Sequence, residues 1–172
     1  SAFLLNRSSD LRFDREQAVH CNATLLQRTV DAMIAAGINE LVVVTGYRAE
    51  MIREFLTKQY PSLNIHFIHN ADYEHNNNIF SLWMTRPYTE GKDFLLSDSD
   101  ILFDPQLIRA VLTTEGNALA LNRHECGEEE IKVIVDDENR IMELSKTCSI
   151  EKAIGESVGF EKMTASYSTA LF

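Results

Sequence analysis

The chain has 172 residues with 26 acidic and 16 basic side chains, and its formal net charge of −10 argues against nucleic acid as a partner. This length suits one domain that buries a core without disulfide staples, and no apolar run approaches a transmembrane length. The three cysteines are widely separated and lack a CxxC spacing, which fits inert thiols in a reducing compartment. We therefore expect a cytoplasmic protein without a membrane partner.

The first part of the chain predicts strands and helices in alternation. Residues 40–45 form a continuous β-branched run, which is typical of a buried parallel strand. Apolar side chains recur at helical spacing from residue 24, and Gly37 provides a stop. The other predicted elements are strands at 2–5, 64–68, 94–96 and 118–121, and helices at 49–58, 79–84 (capped by the asparagines before it) and 105–113.

The pattern changes after residue 130. Two segments rich in apolar residues, 131–135 and 140–144, flank the polar run 136–139, which predicts a β-hairpin. A strand at 157–163 and the start of a helix at 165 follow. The expected fold class is α/β, with a doubly wound, mostly parallel sheet flanked by helices and a small antiparallel hairpin addition.

Two aspartates, Asp98 and Asp100, close the predicted strand at 94–96. Ligands of open α/β sheets lie outside the carboxyl ends of the strands, and carboxylate oxygens are ligands that Mg²⁺ prefers. The alternative is a structural role, in which these side chains bind loop amides. Asp104, which precedes Pro105, is expected to cap the next helix in that way.

Four segments carry a family resemblance. They are residues 36–47 (AGINELVVVTGY), 69–83 (HNADY, then NNIFSLW), 96–103 (LSDSDILF) and parts of 132–159. In order and spacing they resemble the nucleotidyltransferase superfamily, which includes sugar-phosphate nucleotidyltransferases and phosphocholine cytidylyltransferases. The resemblance implies Mg²⁺-dependent transfer of a cytidylyl group from CTP to a small phosphorylated acceptor, such as phosphocholine or a related phosphate or phosphonate, with release of pyrophosphate. Alternatives are a non-catalytic binding domain and a sugar-phosphate nucleotidyltransferase that uses another nucleotide.

The N-terminal stretch departs from the pattern of this family. The family has a glycine-rich loop that cradles the triphosphate and then a lysine, whereas residues 5–13 read LNRSSDLRF and no lysine precedes Lys58. Ser8 and Asp10 stand where the family has glycines, and Asp10 adds a negative charge beside the phosphates. We expect a single nucleotidyltransferase-like domain, 1–172, that lacks loop residues near 12–25 and a C-terminal segment. A degenerate loop is the alternative.

The resemblance also implies roles for individual residues. Arg12 would hold the triphosphate and Asp100 would hold Mg²⁺, so both are catalytic candidates. The other implied residues are Ser8, Asn77, Asn78 and Asp98 for the cofactor and nucleotide, and Lys132 and Glu156 for the acceptor. Structural alternatives remain open: Arg12 as a surface arginine, the two asparagines as helix caps, and Lys132 as a solvated lysine.

Further residues receive structural interpretations. Tyr73 and Trp83 could offer aromatic faces to a quaternary ammonium group, but the helical spacing around Trp83 predicts core packing. The five histidines show no metal-ligand spacing and are assigned no metal. Residues 128–130, three consecutive glutamates, are interpreted as a solvated turn.

Overall fold

The computed structural model describes residues 2–5 and 24–172. The chain divides into two compact units. The large unit comprises Ser1–Ala118 and Glu161–Phe172, and the small unit comprises Leu119–Phe160. None of the helices in the described ranges is long and apolar enough to cross a membrane.

The large unit contains four parallel strands and six helices within the described ranges. The strands are β1 (Ala2–Leu5), β2 (Glu40–Thr45), β3 (Asn64–His69) and β4 (Phe94–Asp98). The helices are α1 (Leu25–Ala35), α2 (Ala49–Gln59), α3 (Asn78–Met84), α4 (Arg86–Thr89), α5 (Gln106–Thr113) and α6 (Ala165–Leu171). The strand order is β3-β2-β1-β4, so chain order reverses on either side of β1.

Strand β2 explains where the core of the large unit sits. Its residues Leu41 to Thr45 are all buried, and because successive side chains of a strand point to opposite faces, both faces of the sheet are covered. Val42 and Val44 pack with Leu82 and Phe94 in one apolar cluster. Burying such a side chain contributes roughly 1.5–3 kcal/mol, so this cluster holds α3 against the sheet.

The small unit is built around antiparallel pairing. It contains most of β5 (Ala118–Asn122), then β6 (Lys132–Val135), β7 (Ile141–Ser145), a 3₁₀ turn (Ile150–Lys152) and the first part of β8 (Gly155–Met163). Strands β6 and β7 form a hairpin, and β8 pairs with β6 and β5. In the hairpin turn, the Asp136 carboxylate accepts backbone N–H groups from Glu138 and Arg140, which holds Asn139 in a left-handed conformation (φ 60°).

The predicted elements are confirmed with small shifts of their bounds. Strand β2 has the predicted range, and the helix predicted at 49–58 runs to Gln59. The parallel layer and the hairpin are also confirmed, but the small unit has more pairing than one hairpin because β8 joins β6 and β5. Helix α4 and the 3₁₀ turn were not predicted. The single-domain organisation stays a prediction.

Candidate functional site

The candidate site of the large unit lies at the carboxyl ends of β1 and β4. Leu5, the last residue of β1, is paired with Asp98, the last residue of β4. Strands β2 and β3 lie on one side of β1, and β4 lies on the other. The strand order therefore reverses between β1 and β4. Ligands of open α/β sheets bind at such a point. Ser8 and Arg12 follow Leu5 in the chain but lie outside the described residues.

The segment Asp98-Ser99-Asp100 places three oxygen-bearing side chains at this edge. Asp98 and Asp100 are half-buried, and the Ser97 hydroxyl donates to the Asp98 carbonyl at 2.9 Å. The Ser99 hydroxyl is buried and has no hydrogen-bond partner within the described ranges. A buried hydroxyl without a partner costs roughly 1–3 kcal/mol, so this oxygen is suited to meeting a ligand or an ion. Hydroxyl and carboxylate oxygens are hard ligands that fit Mg²⁺.

Asn70 organises the loop that follows β3, and the sequence analysis assigned it no role. It is 2% exposed, and its amide exchanges two hydrogen bonds with the amide of Asn76, at 2.9 and 3.1 Å. It also donates to the Ser81 hydroxyl and accepts the Asp72 backbone N–H. Because these bonds tie the loop to the start of α3, Asn70 fixes where the residues around 77 stand. An asparagine directly after a buried strand was the available signal.

Asn77 and Asn78 begin α3. Asn77 is the N-cap residue, but its side chain makes no capping hydrogen bond and is exposed. The capping alternative is therefore wrong for the Asn77 side chain, whose amide faces solvent at the end of the 70–76 loop. Asn78 is half-buried.

The expected core position of Trp83 is wrong. Trp83 is 54% exposed and stacks on Phe80 with ring centroids 5.6 Å apart. Helix α3 is seven residues long and buries only Leu82, so its other apolar side chains remain outside the core. Tyr73 packs closely on the sheet edge, since a Cβ atom added to Gly46 would lie 2.5 Å from its ring.

Lys132 in the small unit is neither solvated nor unpaired. It is 1% exposed, and its ammonium group donates to the backbone carbonyls of Gly127, Glu128 and Glu130 at 3.1, 3.0 and 3.3 Å. A lysine has three N–H donors, so all of them have acceptors. The solvated-lysine alternative is therefore wrong, and the contact with an acceptor phosphate stays a prediction that requires Lys132 to leave these carbonyls.

Glu156, on β8, belongs to a cluster of polar side chains in the small unit. Its carboxylate lies 3.9 Å from Nε2 of His124, which lies 3.2 Å from the Glu130 carboxylate. The hydrogen bond with Glu130 raises the pKa of His124, and the Gly127 backbone N–H lowers the pKa of the Glu130 carboxyl. Cys126 is buried beside them, and burial raises the pKa of its thiol.

This cluster was missed by the sequence analysis. One potential ligand atom from each of His124, Cys126 and Glu130 lies within 4.8 Å of the other two. Glu130 also accepts the Gly127 N–H at 2.8 Å, so the interpretation of all three glutamates as a solvated turn is wrong for Glu130. The His-x-Cys spacing before the glutamates was the signal.

Comparisons with known proteins give sequence relatives whose names refer to CMP or CTP. No protein-family model matches the chain. It is 30% identical over 100 residues to the CMP-5'-(3-aminopropyl)phosphonate synthase of Streptomyces rubellomurinus, covering 58% of this chain and 16% of that protein. It is 22% identical over 120 residues to the CTP:phosphoglutamine cytidylyltransferase of Campylobacter jejuni, covering 67% of this chain and 41% of that protein. The chain thus spans less than half the length of either relative.

A solved structure shares the fold. The inositol-1-phosphate CTP transferase from T. maritima superposes with a TM-score of 0.74 and 19% identity, covering 98% of this chain and 72% of that one. At this identity the likeness concerns the fold, which agrees with the mixed α/β arrangement around β1 and β4. Together with the names of the sequence relatives, it confirms the resemblance of the chain to the nucleotidyltransferase superfamily.

Proposed function

We propose that the protein transfers a cytidylyl group from CTP to a small acceptor with a phosphate or phosphonate group and releases pyrophosphate. The observation that supports this most is the segment Asp98-Ser99-Asp100 at the reversal point of the sheet, with a buried Ser99 hydroxyl that no described residue satisfies. The named activities of the relatives, which involve CMP or CTP and a phosphonate or phosphorylated compound, favour the same chemistry.

In the proposed reaction an acceptor oxygen forms a bond to the α-phosphorus of CTP, and the bond from that phosphorus to the bridging β-phosphate oxygen breaks. No protein group forms a covalent bond, so the chain contributes positioning and charge stabilisation. Asp100, with Asp98 beside it, would hold Mg²⁺, which when bound neutralises negative charge on the phosphates. Hard carboxylate oxygens at a strand end fit that ion.

The remaining residues have binding roles in this proposal. Arg12 and Ser8, which follow β1 in the sequence, would contact the triphosphate. Asn77 presents an exposed amide at the start of α3 for the nucleotide, and Asn78 follows it. Glu156 is the candidate for the acceptor, and Lys132 would meet it only on leaving its three carbonyl partners.

The altered loop at residues 5–13 supports a second candidate function, nucleotide binding without catalysis. Ser8 and Asp10 replace the glycines that let backbone amides approach phosphates in this family. A third candidate is transfer from another nucleoside triphosphate to a sugar phosphate. The three differ in which ligand stabilises the protein and in whether pyrophosphate is released.

A thermal-shift panel of CTP, UTP, dTTP, ATP and GTP, each with Mg²⁺, separates these candidates when it is paired with a pyrophosphate assay. Stabilisation follows RT ln(1 + [L]/Kd), so a ligand at about 100 Kd adds roughly 2.7 kcal/mol. We expect CTP to raise the melting temperature most, and pyrophosphate to appear once a phosphorylated acceptor is added. A CTP shift without pyrophosphate, for any acceptor of a phosphate and phosphonate set, would favour binding alone, and a larger shift with another triphosphate would overturn the choice of base.

A further inference from the structure

We propose that the small unit binds a Zn²⁺ ion through His124, Cys126 and Glu130, with Glu156 as the fourth ligand. This site is separate from the proposed Mg²⁺ site in its residues and in its chemistry. It does not depend on the proposed transferase activity, and Glu156 as a zinc ligand would not contact the acceptor.

The donor set selects for a borderline-soft ion. An imidazole nitrogen, a thiolate sulfur and carboxylate oxygens are the ligands of zinc sites, whereas Mg²⁺ prefers oxygen ligands only. The carboxyl edge of the large unit supplies oxygens alone from Asp98, Ser99 and Asp100. The small unit supplies nitrogen, sulfur and oxygen within one loop, so the two sites favour different metals.

The distances are near those of three ligands of a tetrahedral site. With Zn–N and Zn–O bonds of about 2.0–2.1 Å and Zn–S bonds of about 2.3 Å, neighbouring ligand atoms lie about 3.3–3.7 Å apart. The ligand atoms of His124, Cys126 and Glu130 all lie within 4.8 Å of one another, and His124 Nε2 lies 3.2 Å from Glu130 Oε2. Glu156 Oε2 lies 3.9 Å from His124 Nε2, so its side chain is the nearby carboxylate that would move in to complete the sphere.

The ligands are already oriented by hydrogen bonds to the backbone. His124 Nδ1 lies 3.2 Å from the Asn122 carbonyl oxygen, and because a carbonyl only accepts, this nitrogen carries a proton. Nε2 faces the Glu130 carboxylate at 3.2 Å and would give up its proton when it binds the metal. Such a partner on the second ring nitrogen is typical of zinc-bound histidines. The Glu130 carboxylate is held in the same way by the Gly127 N–H at 2.8 Å.

The loop that carries these ligands is anchored from the other side by Lys132. Its ammonium group binds the carbonyls of Gly127, Glu128 and Glu130, which fixes the backbone between two of the ligands. Glu156 approaches from β8, where it is paired with Lys132 in the β6–β8 register. A bound ion would therefore connect the 124–130 loop to β8 through Glu156.

Binding requires deprotonation and no redox chemistry. Bonds form from Zn²⁺ to sulfur, nitrogen and oxygen, and the protons of the Cys126 thiol and of His124 Nε2 pass to the buffer. Cys126 is 8% exposed, whereas the His124 and Glu130 side chains are 32% and 31% exposed. The ion would thus enter past the histidine and the glutamate and reach the buried sulfur last.

Metal content provides the test. The tag-free protein is stripped with a chelator, loaded with Zn²⁺, passed through a desalting column and measured by elemental analysis; we expect about one zinc per chain. Cys126→Ser and His124→Gln should each lower this content at least about 10-fold. The matched controls Cys148→Ser, another buried free cysteine of the small unit, and Glu129→Gln should keep it.

A spectrum identifies the sulfur ligand. Co²⁺ loaded in place of Zn²⁺ should give a sulfur-to-cobalt charge-transfer band that disappears in Cys126→Ser and persists in Cys148→Ser. No retained zinc in the wild type, or undiminished zinc in both Cys126→Ser and His124→Gln, overturns the proposal and shows that the cluster is held by hydrogen bonds alone. If the Cys126→Ser variant does not fold, the zinc content of the His124→Gln variant, which changes an exposed side chain, decides between the two outcomes. Asp100→Asn should retain zinc, so the outcome is independent of the transferase proposal.

Discussion

A buried polar residue beside the candidate site residues of each unit can be compared, and their hydrogen bonding is opposite. In the large unit Ser99 is 7% exposed, and its hydroxyl has no partner within the described ranges. In the small unit Lys132 is 1% exposed, and its three donors all have carbonyl acceptors. Burial alone therefore does not distinguish a site residue from a structural one. Unused hydrogen-bonding capacity, combined with a position at the carboxyl end of the strands, favours the Asp98–Asp100 segment over Lys132.

Replacing Lys132 by methionine should have the largest effect on stability. The change keeps a long unbranched chain but leaves three backbone carbonyls without their donor, which we expect to destabilise the protein by about 3 kcal/mol. Chemical denaturation measures this, with Lys146→Met as the control because Lys146 is 56% exposed at its side chain. If Lys132→Met leaves stability unchanged and instead weakens acceptor binding, Lys132 is a substrate residue and the comparison between the units fails.

Asp100→Asn should remove the Mg²⁺-dependent part of nucleotide binding while folding stays near normal. The amide keeps the size of the side chain but lacks the charge that a hard cation needs. At a CTP concentration of about 100 Kd we expect the loss of most of the roughly 2.7 kcal/mol of ligand stabilisation. The measurement is the thermal shift with CTP at increasing Mg²⁺.

Asp104→Asn is the matched control for that variant. Its carboxylate accepts the Gln106 backbone N–H at 2.8 Å at the start of α5, and asparagine also serves in that capping position. The control should keep the wild-type Mg²⁺ dependence. Wild-type Mg²⁺ dependence in Asp100→Asn as well would show that Asp100 is not a metal ligand.

The parts of the molecule that could be predicted from sequence are those fixed by local pattern. Strand β2 was predicted to its bounds because a continuous β-branched run has few other solutions. The strand-end position of Asp98 and Asp100 followed from the apolar run before them. Burial depends on how the folded elements pack, which spacing does not describe, so the burial of Lys132 and the exposure of Trp83 were not predictable from the sequence pattern.

The cluster around His124 in the small unit was also not predictable from sequence patterns. His124 and Cys126 are two residues apart, but Glu156 reaches them only through the pairing of β8 with β6. Periodicity describes each segment alone, so it assigned no metal to the histidines. The convergence is a property of the pairing between strands, and it becomes visible only when the register is known.

Ser99→Ala tests the other half of the comparison with a smaller effect. Removing a buried hydroxyl that lacks a partner should leave the ligand-free protein equally stable, or stabilise it by up to about 1 kcal/mol. The same change should weaken CTP binding in the presence of Mg²⁺ if the hydroxyl meets the ligand. Ser97→Ala is the control, since that hydroxyl donates to the Asp98 carbonyl at 2.9 Å and its loss should destabilise the protein. A destabilised Ser99→Ala variant would mean that its hydroxyl is satisfied in the folded protein.

The smallest expected effect concerns the hairpin turn of the small unit, which belongs to neither proposed metal site. Backbone and side-chain hydrogen bonds from Arg140 lower the pKa of the Asp136 carboxyl below its usual value. A carboxyl whose pKa is lower in the folded state stabilises the fold while it is ionised. Its contribution is complete above the ordinary aspartate pKa of about 3.9 and is lost as pH falls through the lower folded value.

The melting temperature of wild type should therefore exceed that of Asp136→Asn at neutral pH, and the difference should shrink below about pH 4. The asparagine side chain of that variant would still accept the two backbone N–H groups, so the pH-dependent part isolates the charge and its contact with Arg140, whose Nε lies 2.7 Å from the carboxylate. Asp137→Asn, one residue along with an exposed side chain, removes a neighbouring carboxylate and is the matched control. A difference between wild type and Asp136→Asn that stays constant from neutral to acidic pH would show that the carboxylate acts only as a neutral acceptor in the turn.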